Sequence, residues 1–300
     1  MVKAGGAHRR LYRSMSREEK IMRLQTPRGI FFVDADRDKK MAAALRGDVY
    51  PNERLLTLAL TFVRPGDSVV DIGAHIGTFA IPMAAGGGKV TAFEPAVTTF
   101  ALLSRNAIAN GVSLRLINKA LGSKAGSGTL VVRNASNAGA DTLLPGGDIP
   151  VATLDSEIAH ADFIKMDVEG MELEVLLGGS KLIERARPVV LFEVNLSQLR
   201  AHGASVRTLE RFFTARGYRI YIPLEQRGGL LARVRSATLL TALIAPRAWL
   251  FFSESAPFDL VAIPREHALS RPIASFATSL FYALKHNLSV KMRRLRARVY

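Results

Sequence analysis

A chain of 300 residues, 48% of them hydrophobic, is long enough to bury one α/β domain with extensions, and having no cysteine it excludes disulfides and thiolate-ligated metals. The net charge of +15 sits at the ends: residues 1–47 hold 12 Lys/Arg against 5 Asp/Glu and residues 265–300 hold 8 against 1, whereas residues 48–264 hold 21 against 20. A uniformly cationic clamp around a phosphate backbone does not distribute its charge this way, so nucleic acid is not the expected partner.

The charge pattern divides the chain into a basic N-terminal extension (1–47), a near-neutral domain (48–264) and a basic C-terminal extension (265–300). Residues 1–20 lack the apolar segment of a secretory signal. The run Ala237 to Ala245 is far shorter than the roughly 20 residues of a membrane-spanning helix. The expectation is a cytoplasmic protein, soluble or peripheral to a membrane.

In chain order, Asn52 near a cap followed by Leu55, Leu56, Leu58 and Phe62 predicts a helix. Ser68 to Ile72 reads as a buried strand, then a glycine turn and a helix over Ile76 to Ala85. Lys89 to Phe93 is the second strand, Val97 to Ala109 a helix, and Leu114 to Ile117 a third strand. Residues 122–150 are rich in Gly, Ser and Asn, with a hairpin strand predicted at Thr129 to Arg133. Strands follow at Phe163 to Met166, Pro188 to Val194, Tyr218 to Ile222 and Phe258 to Ile263, and helices at Glu172 to Glu184 and Val206 to Arg216. This alternation predicts a mostly parallel sheet with helices on both faces.

The strongest local signal is V-V-D-I-G-A-H-I-G-T-F at residues 69–79. Gly73 and Gly77 flank a turn between strand and helix, where glycine permits positive φ and a close backbone approach. The spacing G-x-x-x-G differs from the G-x-G-x-x-G that cradles a dinucleotide pyrophosphate. It suits S-adenosylmethionine (SAM), which has no phosphate. Glu94 ends the second strand, twenty-three residues after Asp71, where a carboxylate can accept both ribose hydroxyls. Asp71 can equally serve as a cap for the following helix.

These residues continue into V-D-I-G-A-H-I-G (70–77), A-F-E-P (92–95), N-K-A-L-G-S (118–123), V-A-T-L-D (151–155), I-K-M-D-V-E-G-M-E-L-E-V-L-L-G-G (164–179) and R-P-V-V-L-F-E-V (187–194). Over residues 29–264 the chain resembles the FkbM-type methyltransferases, SAM-dependent enzymes that methylate hydroxyls of polyketides, sugars and similar metabolites. The block I-K-x-D-V-E-G-x-E is the most specific mark. His75 departs from the pattern, which more usually has Asn there. The resemblance implies a Rossmann-like class I methyltransferase fold with a mostly parallel seven-stranded sheet over residues 48–264. It implies SAM contacts at Asp71, Gly73, Ala74, Gly77, Glu94, Ala120 and Leu121.

Methyl transfer to oxygen needs a positioned hydroxyl, a route for its proton and exclusion of water. Asp167 is the first candidate for the base or orienting group, Glu169 the second, and Lys165 is spaced to pair with a nearby carboxylate. Acids opening a helix are also favoured by its dipole. A further alternative has Mg²⁺ held by the oxygens of Asp167, Glu193 and Asn195. An RNA-modifying methyltransferase and a non-catalytic SAM-binding protein remain as other readings, although no aromatic-basic RNA-binding module is apparent.

The acceptor pocket is expected at residues 134–149 and 223–257. From Ile273 to Val299, apolar residues at near-helical spacing are interleaved with Lys285, Lys291, Arg293, Arg294, Arg296 and Arg298. Such a basic helix can lie on an anionic membrane, or it can pack on the domain or a second subunit.

Overall fold

The computed structural model describes residues 20–47, 50–131, 142–223, 231–234, 257–267 and 273–274. The predicted basic C-terminal helix lies outside them, apart from Ile273–Ala274, which form a short strand. No helix among the described residues is long and apolar enough to cross a membrane.

The chain opens with a hairpin, β1 (Ile21–Thr26) and β2 (Gly29–Asp34), followed by α1 (Lys39–Arg46) and α2 (Glu53–Ala59). The first α/β unit follows: β3 (Ser68–Ile72), α3 (Ala80–Ala85), β4 (Lys89–Phe93), α4 (Val97–Ala109) and β5 (Arg115–Ile117). A small sheet is then inserted, made of β6 (Ala120–Leu121), β7 (Gly126–Val131), β8 (Thr142–Pro145) and β9 (Ile149–Ala152), closed by α5 (Leu154–Glu157). The main sheet resumes with β10 (Phe163–Met166), α6 (Glu172–Gly178), α7 (Ser180–Ala186) and β11 (Val189–Val194). It finishes with α8 (Leu196–Ala201), α9 (Val206–Ala215), β12 (Tyr218–Pro223), β13 (Leu231–Val234), β14 (Phe258–Pro264) and β15 (Ile273–Ala274).

The main sheet runs β15-β13-β12-β14-β11-β10-β3-β4-β5. From β5 to β11 neighbouring strands are parallel, and β14 is antiparallel to both β11 and β12. Seven of these strands, β5 to β12 in that order, make the expected class I methyltransferase sheet, and β13 and β15 add two short strands at one edge. Strand order reverses between β3 and β10, so the connections leaving their carboxyl ends diverge and open a crevice there. Alternating residues feed two cores: Val70, Ile164 and Val190 pack on one face, and Val69, Phe163 and Leu191 on the other.

Two helices differ from their predicted spans for identifiable reasons. The helix expected from Ile76 starts at Ala80, because His75 (φ 54°) and Gly77 (φ 91°) are left-handed. The helix expected over Glu172 to Glu184 is two, broken at Gly178 and Gly179. A Cβ on Gly178 would come 2.0 Å from the Gly122 carbonyl oxygen, and one on Gly179 would come 2.7 Å from Leu154 Cδ2. The glycine pair lets α6 and α7 press against the inserted sheet and α5.

Residues 20–47, set apart by their charge, pack onto the domain: Phe31, Val33, Ala42 and Leu45 are buried in the same core cluster as Val69 and Leu103. The outer edge of β2 is satisfied by side chains rather than a strand. Asn106 Oδ1 accepts from Phe32 N at 2.6 Å and its Nδ2 donates to Phe32 O at 3.1 Å. One turn on, Asn110 does the same for Ile30, at 2.8 and 2.7 Å. Two amides at i and i+4, one on α4 and one at its C-cap, thus imitate the neighbouring strand that β2 lacks. Asn106 is fully buried and also donates to Ile76 O at 2.9 Å, tying the hairpin to the glycine turn. Asn106→Ala would strand these groups, and urea unfolding should show a loss of about 2–4 kcal/mol. A loss within about 0.5 kcal/mol would show that water replaces the amide at no cost.

Candidate functional site

A cavity of about 440 Å³ opens at the carboxyl ends of β3, β4, β10 and β11, within the size range of small-molecule sites. Its floor is built by the sheet itself. Lys165 on β10 stands beside Asp71 on β3 in the parallel register. Its Nζ lies 3.4 Å from Asp71 Oδ1 and 3.6 Å from Asp167 Oδ2, and donates to Gly73 O at 3.2 Å. Burial opposes the charge on Lys165, but Asp71, Asp167 and Glu193 outweigh it and hold the ammonium above its usual pKa. Asp71 is completely buried, and burial pushes its pKa up against the pull of Lys165.

The glycine turn is organised by its neighbours. Gly73 has φ 74°, and a Cβ there would come 1.9 Å from the Asp167 carbonyl oxygen. Its glycine is therefore demanded by the approach of the turn to the end of β10. Gly77 (φ 91°) faces away from the cavity, with its Cβ position 2.7 Å from Leu103 Cδ1. Gly73 and Ala74 line the cavity, and both donate their N–H to Phe93 O, at 3.0 and 2.9 Å.

Glu94 follows β4 at the cavity wall and is 7% exposed. Its Oε2 accepts from His75 N at 2.9 Å and its Oε1 from Ala96 N at 2.9 Å. Burial raises its pKa, and the nearby His75 and these donors oppose the rise. Each oxygen keeps a second lone pair. Asn118, after β5, donates to Glu94 O and Pro95 O at 2.7 and 3.0 Å and fixes the turn. Beyond it, Ala120 and Leu121 are buried and complete this end of the cavity.

The opposite end gathers carboxyl groups. Asp167 and Glu169 line it from the turn after β10, Glu193 from β11 and Asp259 from β14, where Glu193 and Asp259 are register partners. Burial, then Asp167 and Asp259, push Glu193 up to about 9, and burial, then Asp167, push Asp259 up to about 7. Glu169 is left-handed (φ 54°), and Gly170 (φ 101°) has its Cβ position 2.6 Å from the Gln198 carbonyl carbon. Glu172 is buried at the start of α6: it accepts from Gly170 N at 3.2 Å, and burial raises it to about 7. Leu130 of β7 and Leu143 of β8 add apolar wall from the inserted sheet.

Of the residues singled out in the sequence, Gly73, Ala74, Glu94, Ala120, Leu121, Lys165, Asp167 and Glu169 line this one cavity, and so does Glu193. Asp71 lies beneath the floor beside Lys165, and Gly77 packs against α4, so neither lines the cavity. Of the Mg²⁺ set Asp167, Glu193 and Asn195, Asn195 does not line the cavity either. Its Oδ1 caps α8, accepting from Ser197 N at 3.2 Å and Gln198 N at 3.3 Å. Among the described residues no group of three or more His, Asp or Glu is arranged to hold a metal ion. Of the expected acceptor stretches, Leu143 and Pro257 reach the cavity, while residues 132–141, 224–230 and 235–256 lie outside the described residues.

The sequence reading missed Asp259 and the roof residues Lys40, Met41 and Ala44 of α1. Asp259 carried a faint signal, an acid inside an otherwise apolar strand. For α1 there was none, since a charged amphipathic helix reads the same wherever it packs.

Residues 71–220 match the methyltransferase FkbM domain. Among solved structures, a methyltransferase FkbM from Methylobacillus flagellatus shares 18% identity at a TM-score of 0.39, covering 66% of this chain and 43% of that one. The tRNA (uracil-54, C5)-methyltransferase of Pyrococcus abyssi, in complex with S-adenosyl-L-homocysteine, shares 15% at 0.42, covering 81% and 44%. Magnesium protoporphyrin IX methyltransferase from Synechocystis, with bound SAM, shares 14% at 0.42, covering 77% and 94%. The chain thus spans less than half the length of the first two. No curated protein matches it.

The Glu193–Asp259 pair makes stability depend on pH. Both carboxyls hold protons more tightly in the folded chain than in the unfolded one. Their contribution is therefore complete below the ordinary carboxylate range and is lost as pH rises through about 7 and about 9. Glu193→Gln should melt with the parent at pH ~5 and a few degrees above it at pH ~9. Parallel melting curves across that range would show that Glu193 is not destabilised by burial.

Proposed function

The chain belongs to the methyltransferase FkbM family, and on that premise we propose that it transfers the methyl group of SAM to a hydroxyl oxygen of a small metabolite, sugar or lipid-linked glycan. The observation that carries this reading is the half-buried Asp167, held beside Lys165 in the same cavity as Glu94.

The residues present fit SAM. Glu94 offers free lone pairs at the wall, suited to ribose hydroxyls, between a glycine turn on one side and Ala120 and Leu121 on the other. When bound, SAM supplies an electrophilic methyl group. Asp167 would accept the hydrogen bond of the acceptor hydroxyl, orient its oxygen and take its proton. A positioned base of this kind contributes roughly 10²–10⁴-fold. Lys165 would act through Asp167 as a positioning residue, because its ammonium is already committed to Asp71 and Gly73. Leu130, Leu143 and Met41 supply apolar wall that limits water. Carboxyl groups hydrogen-bond hydroxyls whether protonated or ionised, so Glu169, Glu193 and Asp259 suit a hydroxyl-bearing acceptor.

Tritiated methyl-SAM offered with neutral glycosides and polyols, and separately with total RNA, tests the reading. The expected product is a base-stable methyl ether, and label recovered on RNA instead would overturn it. Asp167→Asn should lower turnover by roughly 10²–10⁴ while SAM affinity measured by calorimetry stays unchanged. Turnover within a factor of a few would place the base elsewhere. Glu94→Gln should weaken SAM binding by about ten- to a hundredfold, and unchanged affinity would remove Glu94 from the cofactor site.

A further inference from the structure

SAM ends in an amino acid whose carboxylate needs a cationic or N–H partner of its own, in a cavity whose wall is otherwise rich in carboxyl groups. The basic side chains lining the same cavity are Lys40, His75, Lys119 and Lys165. Three of them are engaged. Lys165 serves Asp71 and Asp167. Lys119 Nζ lies 2.6 Å from Glu157 Oε1, and His75 Nε2 lies 2.8 Å from Asp38 Oδ2. Lys40 has no ion pair among the described residues, and it is exposed on the first turn of α1.

α1 lies close to the glycine turn through Asp38, which is 3% exposed; its Oδ2 and His75 Nε2 are in close contact without hydrogen-bond geometry. Asp38 Oδ1 accepts from Met41 N at 3.1 Å and caps α1. The backbone of His75 in turn donates to Glu94. One residue therefore joins the roof, the glycine turn and the ribose-side carboxylate.

We propose that α1, upstream of the matched segment, belongs to the cofactor site: Lys40 receives the carboxylate of the methionyl end of SAM, and the Asp38–His75 pair holds α1 over the cavity. This rests on SAM being the cofactor, and the test separates the two claims.

Calorimetry on the full chain would compare SAM with methylthioadenosine, which keeps the nucleoside and the sulfur but lacks the amino-acid end. Lys40→Met keeps the apolar stem and removes the charge. It should weaken SAM about fivefold, a modest figure because the lysine is exposed, and leave methylthioadenosine unchanged. Lys40→Arg should retain SAM affinity. Asp38→Asn should weaken SAM as well, and the double variant Asp38→Asn/Lys40→Met should be no weaker than the worse single one. If Lys40→Met leaves the ratio of the two affinities unchanged, the role of Lys40 is overturned and the cofactor reading stands. If the unaltered chain binds neither ligand, both fall.

Discussion

A buried ammonium has to be matched by buried or adjacent carboxylates, and at the centre of this fold that requirement falls on Lys165. Its partners come from two strands that are neighbours in space and distant in sequence. Asp71 sits inside β3, Asp167 directly after β10, and the Gly73 carbonyl caps the arrangement. Removing any one member would leave the others with uncompensated charge in a poorly solvated place. The three thus fix the relative position of the two strand ends between which the crevice opens. The glycine turn starts at one of these strand ends, and Asp167 follows the other.

Close backbone approach is the second constraint, and glycine meets it repeatedly around the cavity. Gly73 lies against the Asp167 carbonyl, Gly170 against Gln198 and Gly178 against Gly122. In each case the neighbouring group is protein, so the glycines bring loops together and the ligand benefits indirectly. The same economy of contact appears at the hairpin, where Asn106 and Asn110 replace a missing strand and hold residues 20–47 against the domain. Through Asn106 and the Ile76 carbonyl, that contact also reaches the turn bearing His75.

Charge is distributed on two scales that point in opposite directions. The whole chain is strongly basic, yet the end of the cavity near Asp167 collects acids, and Lys165 is the lysine among them. Glu193 and Asp259 meet across an antiparallel register, and burial first, with Asp167 nearby, raises both pKa values. Such a site can offer a proton and accept one at neutral pH, a versatility suited to holding hydroxyl groups. The basic ends of the chain say nothing about it.

The sequence by itself determined the alternation of strands and helices, because hydrophobic periodicity and glycine turns are local properties. It also pointed to part of the cavity lining, since strand-terminal residues such as Glu94 and Asp167 must emerge at the same edge of a parallel sheet. Tertiary structure decided which of these residues face the cavity and which lie beneath it. Asp71 and Asp167 look alike in sequence, each an acid at a strand end before a turn. Lys165 pairs with both, but Asp71 lies inside β3 between β10 and β4 and is buried, whereas Asp167 follows β10 in the turn and stays half-exposed. Likewise Asp259 reaches the site because β14 inserts antiparallel beside β11, and α1 roofs it because Asp38 meets His75. Contacts between segments far apart in the chain leave no periodic trace in either one, so no reading of local pattern could have supplied them.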